Sequence, residues 1–225
     1  AQARLKPDSS PVCDADEAAE AAILAALARE LPGVPVVAEE SVAKGVAPQC
    51  GERFILVDPL DGPREFLAGN GEFTVNLALV ENGAPVAGAV YAPVREKLWL
   101  GGATASLCKV APGAALPPPG ARSRIAARPA PTDGLVALCS RSHGDAESED
   151  FLRKLRIASR VNVGSSLKFC VIAEGQADVY PRFGPTMEWD IAAGDAVLRA
   201  AGGRWLLYHS PSPRKRTRSR MPSSA

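Results

Sequence analysis

No stretch of this sequence stays apolar for the ~20 residues that a membrane-crossing helix requires, so no membrane span is expected. Paired cysteines are missing as well. Cys13, Cys50, Cys108, Cys139 and Cys170 are scattered, odd in number, and no two have metal-ligand spacing. That argues against a disulfide framework or a zinc cluster, and for free thiols in a reducing compartment. No signal peptide is legible at the start. A cytoplasmic placement is the expectation, with peripheral attachment to the inner membrane as a second placement. There is no internal repeat and no large charge excess. The net charge is +1, and Arg214, Lys215, Arg216, Arg218 and Arg220 lie near the end, so the rest of the chain carries −4. A mildly acidic body argues against a nucleic-acid partner.

What remains is ample for a sizeable core: 225 residues, 46% of them apolar. Acidic residues crowd the start of a helix expected over 14–31, with Ile23, Leu24, Leu27 and Leu31 on its apolar face and Pro32-Gly33 as its stop. Short strands are expected at 34–38 and 54–57. In 73–79, Phe73, Val75, Leu77 and Leu79 alternate with Thr74, Asn76 and Ala78, which predicts a strand with its apolar face buried. Glu81-Asn82-Gly83-Ala84-Pro85 reads as a hairpin connection, with strands returning at 86–91 and 97–100. The Pro-, Ala- and Gly-rich segment 111–131 reads as a long connector. Beyond it strand and helix alternate: strands at 135–139, 161–163 and 177–180, a helix capped by Asp145, a helix opened by Gly164-Ser165-Ser166, and a helix over 190–201. The expected organisation is an α+β part over 1–110, an α/β part over 111–209 and a disordered basic tail over 210–225.

Residues Val57-Asp58-Pro59-Leu60-Asp61-Gly62 organise the rest. An apolar strand ends in two aspartates, and Pro59 and Gly62 predict a tight turn that lets the carboxylates converge. Two anions held that close favour a cation between them, and oxygen ligands suit Mg²⁺. Alone, the segment is equally a polar turn after a core strand. Asp16, Glu39-Glu40 and Asp190 add acidic residues at strand ends or helix starts. A phosphate site built on two metals needs carboxylates gathered in this way from separate elements.

Three segments, Glu39-Glu40-Ser41, Asp58-Pro59-Leu60-Asp61-Gly62 and Trp189-Asp190-Ile191-Ala192-Ala193-Gly194, come in an order and spacing that resemble the inositol monophosphatase superfamily of lithium-sensitive, Mg²⁺-dependent phosphatases. Ser9-Ser10-Pro11-Val12, Ser140-Arg141-Ser142-His143, Gly164-Ser165-Ser166-Leu167-Lys168-Phe169 and Tyr180-Pro181-Arg182 narrow the resemblance to its bisphosphate-nucleotidase branch. The resemblance implies a layered αβαβα sugar-phosphatase fold and hydrolysis of the 3'-phosphate of adenosine 3',5'-bisphosphate to AMP, linked to sulfate assimilation. Glu39, Asp58 and the carbonyl of Leu60 would hold one Mg²⁺. Asp58, Asp61 and Asp190 would hold a second, and a third is left open. Asp16, Glu39 and Asp61 would be catalytic, with Asp16 positioning the attacking water. Gly62, Pro63, His143, Ser165, Lys168, Arg182 and Asp190 would contact the phosphorylated nucleotide.

The pattern is departed from in three places. Pro63 stands where the family has a threonine, and proline offers neither hydroxyl nor N–H. Cys13 replaces a threonine near Asp16. Both ends read as short of the family's first helix and last strands, which predicts reduced stability. The alternatives are an inositol monophosphatase, a catalytically weak relative that still binds Mg²⁺ and nucleotide, and a chain that folds poorly. Oligomeric state is not legible.

Overall fold

Helices and strands alternate near the two ends of the described chain, and a run of consecutive strands lies between them. The computed structural model describes residues 3–5, 11–141 and 144–205, with side chains from Asp14 onward. In chain order the elements are β1 (Ala3–Leu5), β2 (Pro11–Cys13), α1 (Asp14–Glu30), β3 (Val36–Ala38), α2 (Glu39–Ala43), β4 (Arg53–Asp61) and α3 (Pro63–Leu67). There follow β5 (Thr74–Glu81), β6 (Ala84–Ala92), β7 (Lys97–Gly101), β8 (Ser106–Lys109) and β9 (Ser123–Arg124). The remainder is β10 (Leu135–Ser140), α4 (Ala146–Arg153), β11 (Ile157–Val163), α5 (Leu167–Ala173) and α6 (Glu188–Ala200).

Strands β3 to β9 form one seven-stranded sheet in sequence order. It is antiparallel except where β3 runs parallel to β4. β1 and β2 pair with each other, and β10 pairs in parallel with β11. Helix α1 lies on one face of the sheet, where Ile23, Leu24 and Leu27 meet Ile55, Val57, Leu77 and Leu79. Leu31, expected on that apolar face, is instead exposed. The other face is covered by α5 and α6 over a cluster running from Val37 and Phe54 through Val90 and Trp99 to Val197. Helix α6 lies very close to the sheet. A Cβ on Gly88 would come within 2.4 Å of the Ala193 carbonyl oxygen, and one on Gly101 within 2.5 Å of the Val197 Cα.

Three expectations are corrected. The segment after Val57 does not leave the sheet in a tight turn. β4 continues to Asp61 through an irregularity in its pairing with β5 between Asp58 and Asp61. The reversal comes at Gly62, whose φ of 88° is left-handed, before Pro63 opens α3. On β5 the more deeply buried face is not the one carrying Val75, Leu77 and Leu79 but the one carrying Thr74, Asn76, Ala78 and Val80. Both faces are covered by helices, and Ser166 from the far half of the chain meets the Thr74 hydroxyl and Asn76 Oδ1. At 177–180 the structure makes only a single bridge, Ala137 with Val179, because Pro181 follows at once. The hairpin at Asn82-Gly83 forms as read, both residues having positive φ. Asp145 caps α4, its carboxylate accepting from the Ser148 N–H at 2.6 Å. The five tail cations and His143 lie outside the described residues.

Candidate active site

The end of β4, the starts of α1, α2 and α6, and the β11–α5 loop converge on one cavity of about 230 Å³. Its lining includes Asp16, Glu39, Asp58, Leu60, Asp61, Gly62, Pro63, Ser165, Lys168, Arg182 and Asp190. The structure therefore brings together every sequence-predicted site residue that it describes. The elements explain the placement. Asp16 lies in the first turn of α1 and Glu39 in that of α2, where the helix dipole favours a carboxylate. Glu20 of α1 supports α2 from outside, its carboxylate accepting from the Glu40 N–H at 2.7 Å and the Ser41 hydroxyl at 2.6 Å. Asp190 holds the first turn of α6, accepting from the Thr186 hydroxyl at 2.8 Å and the Met187 N–H at 3.0 Å.

Asp58 is the deepest of the carboxylates, 1% exposed. Its Oδ1 accepts from the Leu60 N–H at 3.0 Å, while its Oδ2 is buried without a hydrogen-bond partner. Burial, then the charges of Glu39, Asp61 and Asp190, push its pKa well up. Asp61 is raised to about 6, first by burial and then by Asp190, against the opposing pull of Lys168 and the Ser166 N–H. That N–H donates to Asp61 Oδ2 at 2.5 Å. Among the described residues no three carboxylates close on a common point as a ready-made metal cluster. Uncompensated anions repel, and Asp61 and Asp190 hold local donors instead. The donor set nonetheless fits a hard divalent cation. It is all oxygen, and it contains an orphaned buried carboxylate oxygen whose neighbours are further carboxylates.

The opposite wall is cationic. Lys168 is buried, and its ammonium donates to the Ser165 carbonyl at 2.7 Å and the Val163 carbonyl at 3.2 Å, over the Tyr180 ring. Burial lowers its pKa to about 8 despite the nearby Asp61. The sequence placed Lys168 as a phosphate contact one turn into a helix. In the structure it also pins the loop that carries Ser165. Arg182 donates to the Pro185 carbonyl at 2.9 Å, and its Nε is buried with no partner. Ser165 itself sits in the left-handed region at φ 48°.

Several cavity residues were given no role at the site from sequence: Glu65, Ser140, Ser166 and Thr186. Ser166 is the most connected of these. Its hydroxyl donates to Asn76 Oδ1 at 2.8 Å and lies 2.8 Å from the Thr74 hydroxyl. Two polar residues in the inward register of β5 were the available signal. Cys50, Cys108, Cys139 and Cys170 are free thiols, and none lines this cavity.

Comparison with known proteins agrees with this geometry. The model of the inositol monophosphatase family matches residues 2–220. The chain is 46% identical over 200 residues to the 3'(2'),5'-bisphosphate nucleotidase CysQ of Escherichia coli strain K12, covering 88% of this chain and 76% of that one. It is 39% identical to the CysQ of Buchnera aphidicola, covering 88% and 72%. Among solved structures, CysQ from Bacteroides thetaiotaomicron superposes with a TM-score of 0.70 at 41% identity, covering 83% of this chain and 72% of that one. On the family match, these identities and the shared fold, the chain belongs to the inositol monophosphatase family.

Proposed function

We propose that this chain is a Mg²⁺-dependent phosphatase that removes the 3'-phosphate of adenosine 3',5'-bisphosphate, giving AMP. One observation carries the reading: a single cavity sets a wall of carboxylates, including the orphaned Asp58 Oδ2, against a wall that holds Lys168 and the unpartnered Nε of Arg182. The carboxylate wall suits a divalent cation, and the cationic wall suits a substrate that carries a second phosphate. The names of the Escherichia coli and Buchnera aphidicola relatives, 3'(2'),5'-bisphosphate nucleotidases, point to the same substrate class.

Glu39, Asp58, the Leu60 carbonyl, Asp61 and Asp190 would hold Mg²⁺, which when bound supplies Lewis-acid stabilisation of phosphoryl charge and a more acidic water. The protein's own groups do the rest. Asp16, buried at the cavity wall, accepts a proton or hydrogen bond from the attacking water. The backbone reversal at Gly62 lets the chain approach the phosphate closely. Ser165 and Arg182 donate to the phosphate that is not transferred, and Lys168 supplies positive charge beneath them.

Pro63 favours a second reading. It lines the cavity as the first residue of α3 and presents no N–H there. In that reading the chain binds Mg²⁺ and nucleotide but turns over slowly. Comparing kcat/KM for adenosine 3',5'-bisphosphate and inositol 1-phosphate tests the substrate assignment. A preference for the nucleotide is expected, and a strong preference for the inositol phosphate would overturn it.

A further inference from the structure

Glu72 lies outside the cavity, on the loop between α3 and β5, with its side chain 13% exposed. It nevertheless gathers four donors. Its Oε2 accepts from the Gly164 N–H at 2.8 Å and from Arg141 Nε at 3.0 Å. Its Oε1 accepts from Arg141 at 3.2 Å and Arg95 at 3.1 Å. Arg141 thus meets it as a two-pronged fork, and Arg141 also donates to the Asn162 carbonyl at 3.2 Å. Burial opposes the charge, yet the bonds from Arg141 and Gly164 hold the Glu72 carboxyl below its ordinary range.

The Gly164 contact sits one residue before Ser165. One residue after Ser165, the Ser166 N–H is held by Asp61. Ser165 is therefore bracketed by two carboxylates, both from the first half of the chain, and between them it adopts its left-handed backbone. That conformation is costly for a residue with a side chain and persists only when its surroundings enforce it. The packing is tight as well. A Cβ on Gly164 would come within 2.8 Å of Glu65 Cγ and 3.0 Å of Glu72 Cβ, so the loop has no room to relax sideways. The same carboxylate fixes Arg141, the neighbour of Ser140 in the cavity lining.

We infer that Glu72 is a positioning residue: it clamps Gly164 and Arg141 so that Ser165 and Ser140 are presented to the part of the substrate that is not transferred. The inference rests on the nucleotidase reading for its consequence, but the clamp itself does not. Glu72 sets where the substrate sits rather than how the phosphoryl group is transferred, so its loss falls on KM and not on kcat.

The test is Glu72→Gln, which keeps the shape and removes the charge, alongside Glu72→Asp, which keeps the charge. Two readouts are taken. The first is amide hydrogen exchange of the metal-free protein. In Glu72→Gln, amides 164–166 are expected to exchange about tenfold faster, the loss of one charge-assisted hydrogen bond, while those of β5 and β6 stay as in wild type. The second is steady-state kinetics. KM for adenosine 3',5'-bisphosphate is expected to rise about tenfold or more, with kcat changed less than about threefold, and Glu72→Asp is expected to recover part of the loss. Unchanged exchange at 164–166 overturns the clamp. Faster exchange throughout the sheet, with kcat and KM worsening together, overturns it in favour of a general structural role. A wild-type chain that fails to hydrolyse the nucleotide defeats the functional reading alone, and the exchange arm still decides whether Glu72 holds the loop.

Discussion

Replacing Asp58 with asparagine separates the carboxylate's service to a cation from its burden on the fold. Asp58 is 1% exposed, and its Oδ2 has no partner. Without a cation its charge faces Glu39, Asp61 and Asp190. Asparagine keeps the Oδ1 acceptor used by the Leu60 N–H. In place of the orphaned oxygen it offers an amide that can donate to those carboxylates. A buried unsatisfied group costs about 1–3 kcal/mol, more if charged. For a chain of this size each kcal/mol moves Tm by about 2–4 °C. The metal-free variant is therefore expected to melt higher than the metal-free wild type, by something on the order of 5 °C. Mg²⁺ reverses the order. At a concentration about 100 times its Kd a ligand adds about 2.7 kcal/mol to the native state, so wild type should gain about 5–10 °C. Asp58→Asn should gain little and should lose phosphatase activity. The assay is a thermal melt of both proteins in EDTA and in excess Mg²⁺, by calorimetry or circular dichroism. If Asp58→Asn melts below wild type in EDTA and still gains from Mg²⁺, the reasoning fails, because Asp58 is then neither strained by repulsion nor a metal ligand.

Three further outcomes are expected. Asp61 is raised from 3.8 to about 6 in the folded protein, so its contribution to stability is fully present below pH 3.8 and is lost as pH rises through about 6. Metal-free Tm should carry a component that falls across that window and disappears in Asp61→Asn, and a melt series against pH in EDTA reads it. Gly88→Ala should cost about 1–3 kcal/mol in a urea titration, because its Cβ would meet the Ala193 carbonyl of α6 at 2.4 Å; a neutral result would show that α6 can draw back. Pro63→Thr restores an N–H and a hydroxyl at the cavity wall and should raise kcat at least about tenfold, measured by phosphate release. A fall in kcat would mean that the proline at the start of α3 is the better fit.

Much of the site was legible because its carboxylates announce themselves locally. Asp58 and Asp61 end an apolar run, and Asp16 and Asp190 lie in the first turns of helices. The hairpin at Asn82-Gly83 and the Asp145 cap were readable for the same reason. What escaped depended on partners far along the chain. The alternation in β5 pointed its apolar residues inward, which holds for a sheet covered on one side. This sheet is covered on both, and Thr74 and Asn76 are buried because Ser166 meets them some 90 residues later. Lys168 read only as a phosphate contact, and nothing local showed that its ammonium would hold the Val163 and Ser165 carbonyls of the loop before it. Glu72 sits in an ordinary polar stretch, and its donors Arg141 and Gly164 lie 69 and 92 residues away. The extension of β4 past Pro59 was hidden because that proline reads locally as a turn former, whereas pairing with β5 skips it between Asp58 and Asp61.

The central claim is that this cavity is a metal-dependent site for the 3'-phosphate of a nucleoside bisphosphate. Phosphorus NMR of adenosine 3',5'-bisphosphate incubated with the protein and Mg²⁺ tests it in one spectrum. The expected result is loss of the 3'-phosphate signal, with inorganic phosphate and 5'-AMP appearing in equal amounts, and no change in a parallel sample with EDTA. An unchanged substrate in Mg²⁺, loss of the 5'-phosphate instead, or equal turnover in EDTA would contradict the account.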